Sequence, residues 1–300
     1  SSDTIYGGTH ALLAELLPSM GITTNFVDVR RPEDFAAATR PETRVYFVET
    51  VANPTLNVAD IPTLARLAHE RDIALVVDNT FTPMVISPAR LGADVVVCSL
   101  TKFVNGASDM IAGAICGSSD LVLQLMDLHQ GRVMLLGPTM DPRTAFDLIQ
   151  RLPHLAIRMQ EHGRRALAMA TRLEELGVPV TYPGLPSHPQ HALLQALANP
   201  GYGFGGLFTV DCGTRERAER LMALLQNEEH FGLVAVSLGY FDTLMSCSGS
   251  STSSEIPPED QQRMNLSPGL VRFSVGLTGS LEARLDQLER GLRREGLIGQ

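Results

Sequence analysis

Lys102 stands just after an apolar run, with Ser99 three residues before it and Thr101 beside it. A lysine amine forms imines with carbonyl compounds once a nearby cation or desolvation lowers its pKa. Two flanking hydroxyls are donors suited to a phosphate. A Ser-x-Thr-Lys run at a strand end therefore suits an aldehyde cofactor that carries a phosphate, although the four-residue pattern is common and by itself also describes a solvated surface lysine. Asp78 ends the preceding apolar run, Ile73-Ala74-Leu75-Val76-Val77. A carboxylate placed there can face a pyridine nitrogen and keep it protonated, so that the ring accepts electrons. Taken alone, Asp78 could equally be a turn or cap residue. An imine-forming lysine and an aspartate on neighbouring strand ends are what a pyridine ring would bridge.

Three further features bear on chemistry. Tyr6 precedes Gly7-Gly8-Thr9 and offers an aromatic face for a planar group. Arg272 interrupts the apolar run Leu270-Val271-Arg272-Phe273-Ser274-Val275. It is either an edge-strand residue facing water or a buried fork for a carboxylate, since a buried guanidinium needs a partner. Ala235-Val236-Ser237-Leu238-Gly239 is a second strand end able to add donors to that carboxylate. His188 and His191 flank Pro189-Gln190 and read as loop histidines; no metal site is expected. No GxxxxGK[ST] pattern occurs.

The elements that must hold these residues follow from pattern. Apolar β-branched runs at Val45–Val48, Ile73–Val77 and Val95–Val97 alternate with helix-length segments, and Ala112–Ile115 reads as a further strand. Such runs indicate a mostly parallel sheet covered on both faces, with ligands beyond its carboxyl ends. Asp60 reads as a helix cap before Ile61, Leu64, Ala65 and Ala68, and Asp141-Pro142 opens another helix. A long amphipathic stretch runs from about His154 to Leu176 and stops at Gly177. Strands are expected near Leu207–Asp211, Leu233–Val236 and Leu270–Val275, and a last helix carries Leu281, Leu285, Leu288 and Leu292 on one face. A chain of 300 residues suggests about two domains, with the boundary placed in the long helix: 1–155 and 156–300. Ser246–Ser254 is Ser-rich and reads as a linker or a site loop.

Composition narrows the function. A net charge of −9 argues against nucleic acid or an anionic membrane as partner. No apolar stretch reaches the ~18 residues of a membrane span. The four cysteines show neither CxxC nor zinc spacing and read as reduced, mostly core thiols, so a cytoplasmic protein is expected. The opening Ser1–Thr9 reads as strand end, glycine turn and helix start, and a segment upstream of it is expected.

These residues resemble a known family. Val76–Phe81, Ser99–Phe103 and Gly269–Gly276 are similar to the Cys/Met-metabolism family of pyridoxal-phosphate (PLP) enzymes, which includes cystathionine γ-synthase, the cystathionine lyases, O-acetylhomoserine sulfhydrylase and methionine γ-lyase. Tyr6–Thr9, Glu49–Pro54, Tyr182–Leu185 and Ala235–Gly239 add to the resemblance, in order, over nearly the whole chain. Tyr6–Leu13, Met134–Met140 and Thr243–Ser251 look most like the plant methionine γ-lyase branch.

The resemblance implies an α/β fold of the PLP-dependent transferase (aspartate aminotransferase) type, with a large cofactor domain and a smaller α+β C-terminal domain. It implies PLP as a Schiff base on Lys102, which also moves protons. Asp78 would pair with the pyridinium, and Ser99 and Thr101 would hold the phosphate. Tyr6 would stack on the ring and activate the leaving group. Asn53 and Glu49 would lie near the phenolic oxygen, and Arg272 and Ser237 would hold the substrate carboxylate. The implied reaction is γ-elimination from a sulfur amino acid, methionine first, in a homotetramer of two tight dimers. A synthase, a sulfhydrylase or a cystathionine lyase shares the same machinery. A non-catalytic fragment is the reading from outside that class.

Overall fold

The β-branched runs fold as adjoining strands. In the computed structural model, which describes residues 1–247 and 266–299, β1 (Val45–Glu49), β2 (Ala74–Asp78), β3 (Val95–Ser99) and β4 (Gly113–Cys116) form one sheet in that order. β1–β2 and β2–β3 are parallel, with Glu49 opposite Asp78 and Asp78 opposite Val97. β4 departs from the parallel expectation and runs antiparallel to β3. The connection over 100–112 is built of turns, without the crossover helix that a parallel return requires.

Helices follow their caps. α1 (Gly7–Ala11) is followed by one π turn and one 3-10 turn, and α2 (Pro32–Ala38) precedes β1. In α3 (Ile61–His69), Asp60 accepts from the Thr63 amide at 3.1 Å, and Ile61, Leu64, Ala65 and Ala68 are buried as the spacing predicts. α4 (Ser119–Met126) and α5 (Arg132–Leu136) bury no residue. Asp141 caps α6 (Pro142–Arg151) through the Arg143 and Thr144 amides. α7 (Leu155–Glu175) ends two residues before Gly177, whose φ of 74° is the left-handed geometry of a helix stop. α8 (His191–Leu197), α9 (Arg215–Asn227) and α10 (Leu281–Arg294) complete the described helices. His191 is the first residue of α8 rather than a loop residue; its Nδ1 lies 3.0 Å from the Pro183 carbonyl.

The second sheet has the order β5-β6-β9-β8-β7: β5 (Val180–Thr181), β6 (Leu207–Asp211), β7 (Leu233–Val234), β8 (Leu244–Cys247) and β9 (Leu270–Ser274). β7 is shorter than its apolar run. β5 and β8 carried no strand signal: β5 is only two residues long, and the Leu-Met-Ser-Cys of β8 lacks β-branched residues. Ser246 and Cys247 end β8, and the rest of the Ser-rich stretch lies outside the described residues.

One core surrounds the first sheet through Val48, Leu75, Val77 and Phe103; the other surrounds the second through Phe208, Phe273, Met245 and Leu221. α7 serves both: Leu155 and Met159 pack in the first core, and Ala166, Met169, Ala170 and Leu173 in the second. Of the cysteines, Cys212 and Cys247 lie in the second core, Cys98 is half-buried against the first, and Cys116 is exposed. No helix among the described residues is long and apolar enough to cross a membrane.

Candidate active site

Glu49, Asp78 and Ser99 are the last residues of three adjacent parallel strands, at the carboxyl edge where open α/β sheets bind ligands. Thr80 ties two of these ends together. Its amide donates to Asp78 Oδ1 at 2.8 Å, and its hydroxyl accepts from the Ser99 amide at 2.9 Å. Burial raises the Asp78 pKa above its ordinary value, and the bonds from Thr80 pull it back. Beneath it a buried hydroxyl chain runs from Thr50 to Thr82 (2.7 Å) and on to Asn79 Oδ1 (2.7 Å), which satisfies these groups and stiffens the strand ends.

Lys102 sits in a turn that several elements grip. Arg158, from α7, donates to the carbonyls of Phe103 (2.5 Å) and Val104 (2.8 Å). Gly239 presses on the same turn from the second sheet's side. A Cβ at Gly239 would lie 2.4 Å from the Phe103 nitrogen, and its φ of 73° already favours glycine. This close approach brings Ser237 Oγ to 3.0 Å from Lys102 Nζ. Burial, then the Arg272 charge, lowers the Lys102 pKa. The Thr101 hydroxyl accepts from the Ala112 amide at 3.0 Å and donates to its carbonyl at 3.2 Å.

Arg272 lies on β9, the central strand of its sheet, and is 1% exposed. This decides between the edge and fork readings in favour of burial. One terminal nitrogen donates to Asn53 Oδ1 at 3.0 Å, and the other to the Ser237 (3.0 Å) and Val236 (3.3 Å) carbonyls. Its Nε has no partner, and no carboxylate among the described residues stands within ion-pair distance. Burial pushes the guanidinium pKa down to about 10, against the pull of Glu49 and Tyr6.

Glu49 is buried, and both its oxygens are taken: Oε1 accepts from the Tyr6 amide at 2.7 Å and Oε2 from the Asn53 amide at 2.8 Å. Burial, and then the neighbouring Asp78, pushes its carboxyl up to about 8, while the two amides and Arg272 oppose the shift. Tyr6 is 51% exposed, and its ring lies against Gly8, where a Cβ would come within 2.6 Å of the ring.

A continuous set of contacts thus joins Lys102, Ser237, Arg272, Asn53, Glu49 and Tyr6, with Asp78 beside Glu49 in the sheet register. Ser99 and Thr101 lie on the same edge. Glu49 and Asn53 turn their polar atoms to backbone amides and to Arg272, a detail that spacing could not give. Thr80, Arg158 and Gly239 were missed as site residues; only Thr80, two positions after Asp78, left a local signal. No group of three or more potential metal ligands occurs among the described residues.

The arrangement fits PLP. A buried carboxyl, Glu49, and a half-buried one, Asp78, both with raised pKa values, stand side by side where a pyridinium would supply positive charge. A lysine of lowered pKa stands at the next strand end. A buried guanidinium with an orphaned Nε faces the lysine's side, suited to an anionic group of a substrate.

Comparison with known proteins points the same way. The sequence profile described as Cys/Met metabolism PLP-dependent enzyme matches residues 1–292. The methionine gamma-lyase of Arabidopsis thaliana is 55% identical over 296 residues, which cover 98% of this chain and 67% of that protein. The L-methionine gamma-lyase of Porphyromonas gingivalis is 38% identical over 294 residues, 96% of this chain and 71% of that protein. Among solved structures, the cystathionine gamma-lyase of Lactobacillus plantarum complexed with L-serine superposes with a TM-score of 0.87 at 28% identity, covering 97% of this chain and 74% of that one. A Campylobacter jejuni structure carrying N'-pyridoxyl-lysine-5'-monophosphate gives 0.88 at 26% identity, covering 97% and 76%.

Proposed function

Because the chain belongs to the Cys/Met-metabolism family of PLP-dependent enzymes, we propose that it is a carbon–sulfur lyase that converts L-methionine and water to methanethiol, 2-oxobutanoate and ammonia by γ-elimination. The observation that carries the site reading is the buried Arg272, whose guanidinium has an orphaned Nε and no carboxylate partner among the described residues. The α-carboxylate of an amino acid supplies that partner. The choice of methionine rests on the 55% identity to the Arabidopsis enzyme over 98% of the chain.

Bound PLP supplies a protonated ring that stabilises negative charge developing at the substrate Cα. Lys102 would hold its aldehyde carbon, Asp78 its ring nitrogen, and Ser99 and Thr101 its phosphate. Tyr6 would cover the ring face, and Asn53 and Glu49 would flank the phenolic side. Arg272 and Ser237 would grip the α-carboxylate and fix Cα against the lysine. Once the substrate amine has displaced it from that carbon, the Lys102 amine would be free to take the Cα proton and deliver protons along the chain, and its lowered pKa favours that role. Tyr6, half exposed above the strand ends, would hand a proton to the departing sulfur. An apolar pocket separates thioethers weakly, at about 1–3 kcal/mol per methylene, so related substrates such as homocysteine should also react.

Two units are proposed, 1–155 and 156–300; the two cores that meet along α7 support a boundary there. A homotetramer of two dimers is proposed from the family resemblance, and the exposed large apolar residues Ile111, Leu123, Leu136, Phe146, Ile149 and Ile157 support an interface on this part of the chain. A cytoplasmic location is proposed from the cysteine usage described above. The test is incubation of the PLP-loaded protein with L-methionine alone and, separately, with O-acetylhomoserine plus sulfide. Release of methanethiol and 2-oxobutanoate from methionine supports the lyase, whereas turnover only in the second assay assigns a sulfhydrylase.

A further inference from the structure

Glu49 makes no side-chain contact with another ionised group among the described residues. Its two oxygens instead join two backbone positions 43 and 4 residues away, Tyr6 and Asn53. Each of these leads to a different part of the reaction. The Tyr6 amide fixes the first turn of α1 and so the height of its ring. The Asn53 side chain accepts from Arg272 and orients the guanidinium. Tyr6 and Arg272 come from opposite ends of the sequence, and no hydrogen bond joins them directly; the carboxylate is the shared anchor.

We propose that Glu49 is a positioning residue that sets Tyr6 and the Asn53–Arg272 fork in register with each other, acting through the two amides it binds and not on the cofactor ring. This rests on reading Arg272 as the carboxylate fork. A carboxylate is the side chain that does this, because it presents two acceptors to two N–H donors. An amide presents one acceptor and one donor, so in either orientation its NH2 meets a backbone N–H and one arm is lost. Burial and Asp78 push this carboxyl up to about 8 in the cofactor-free protein; in the loaded enzyme the positive charge of the ring would add to the two amides and Arg272 in favouring the ionised form, whose charge in turn favours the charged fork. Leaving a buried donor unsatisfied forfeits its hydrogen bond without regaining water, enough to release a short loop.

The experiment compares PLP-loaded wild type, Glu49→Gln and Glu49→Ala. Calorimetry measures the affinity for two methionine analogues: the thioether carboxylate lacking the amino group, and the thioether amine lacking the carboxylate. Visible absorbance reports the cofactor environment, and kcat is measured with and without Tyr6→Phe. In Glu49→Ala the carboxylate should bind at least about tenfold more weakly, with the amine little changed. Tyr6→Phe should then no longer lower kcat further, and the absorbance maximum should not move. Glu49→Gln should lose one of the two arms, and it decides the question if the alanine variant does not fold. Unchanged carboxylate affinity together with an unchanged Tyr6→Phe effect overturns the proposal, as does a shifted absorbance maximum, which would place Glu49 on the ring. If wild type releases no methanethiol while the carboxylate arm still weakens, the methionine lyase reading fails and the positioning role stands.

Discussion

Replacing Arg272 by methionine separates substrate binding from folding more cleanly than any other change at this site. The side chain is 1% exposed and spends its terminal nitrogens on Asn53 Oδ1 and on the Ser237 and Val236 carbonyls. Removing one partner of a buried, hydrogen-bonded charge pair costs about 2–5 kcal/mol. At about 1.4 kcal/mol per decade, the substrate carboxylate should bind roughly thirty-fold to a few thousand-fold more weakly. Folding should respond differently. The substitution orphans three acceptors, but it also removes a fully desolvated guanidinium that has no carboxylate partner among the described residues, and a well-packed apolar replacement of such a charge is often neutral or stabilising. The melting temperature of the cofactor-free protein should therefore move by only a few degrees in either direction. Calorimetry with the thioether carboxylate and thermal unfolding of the same preparation measure the two effects. A carboxylate affinity within threefold of wild type, in a protein that still folds, would falsify the assignment of Arg272 as the fork.

Three other outcomes are expected. Lys102→Ala should lose the visible absorbance of the bound cofactor and all methionine turnover, while far-ultraviolet dichroism stays unchanged; retained turnover removes Lys102 from the reaction. Gly239→Ala introduces a side chain at a φ of 73° with its Cβ 2.4 Å from the Phe103 nitrogen, so it should lower the melting temperature by several degrees and raise KM more than it lowers kcat. An unaltered KM would mean that Ser237 keeps its place without this close packing. The pH dependence of stability carries a defined sign at Glu49. Its carboxyl is raised from 4.5 to about 8 in the fold, so the folded protein holds a proton that the unfolded chain releases near pH 4.5. This contribution is present below that pH and is lost as pH rises through about 8. The melting temperature of the cofactor-free protein should decline across that window, and the decline should flatten in Glu49→Gln.

Much of the site was legible because its signals are local. Asp60 and Asp141 announce their helices, since a cap acts within three residues. Asp78, Ser99, Thr101 and Lys102 end or follow β-branched runs, and runs of that kind in an alternating chain point to a parallel sheet whose carboxyl ends open to ligand. Other features depended on which distant segment packs where. Nothing near Arg272 says that β9 is central, because strand order in a sheet is set by pairing along its whole length; the sequence therefore left the edge and fork readings equal. The antiparallel return of β4 and the strand formed by Leu244–Cys247 depended likewise on neighbouring partners rather than on propensity.

By itself, then, the sequence determined the chemical types at the strand ends and the family whose machinery they match. The tertiary structure alone decided how they are coupled: Ser237 to Lys102 across 135 residues, Asn53 to Arg272 across 219, and Glu49 to Tyr6 across 43. The physical reason is range. Capping and periodicity act over a few residues and can be read in order along the chain, whereas a hydrogen bond between distant segments forms only when two separately packed cores bring those segments to about 3 Å of each other.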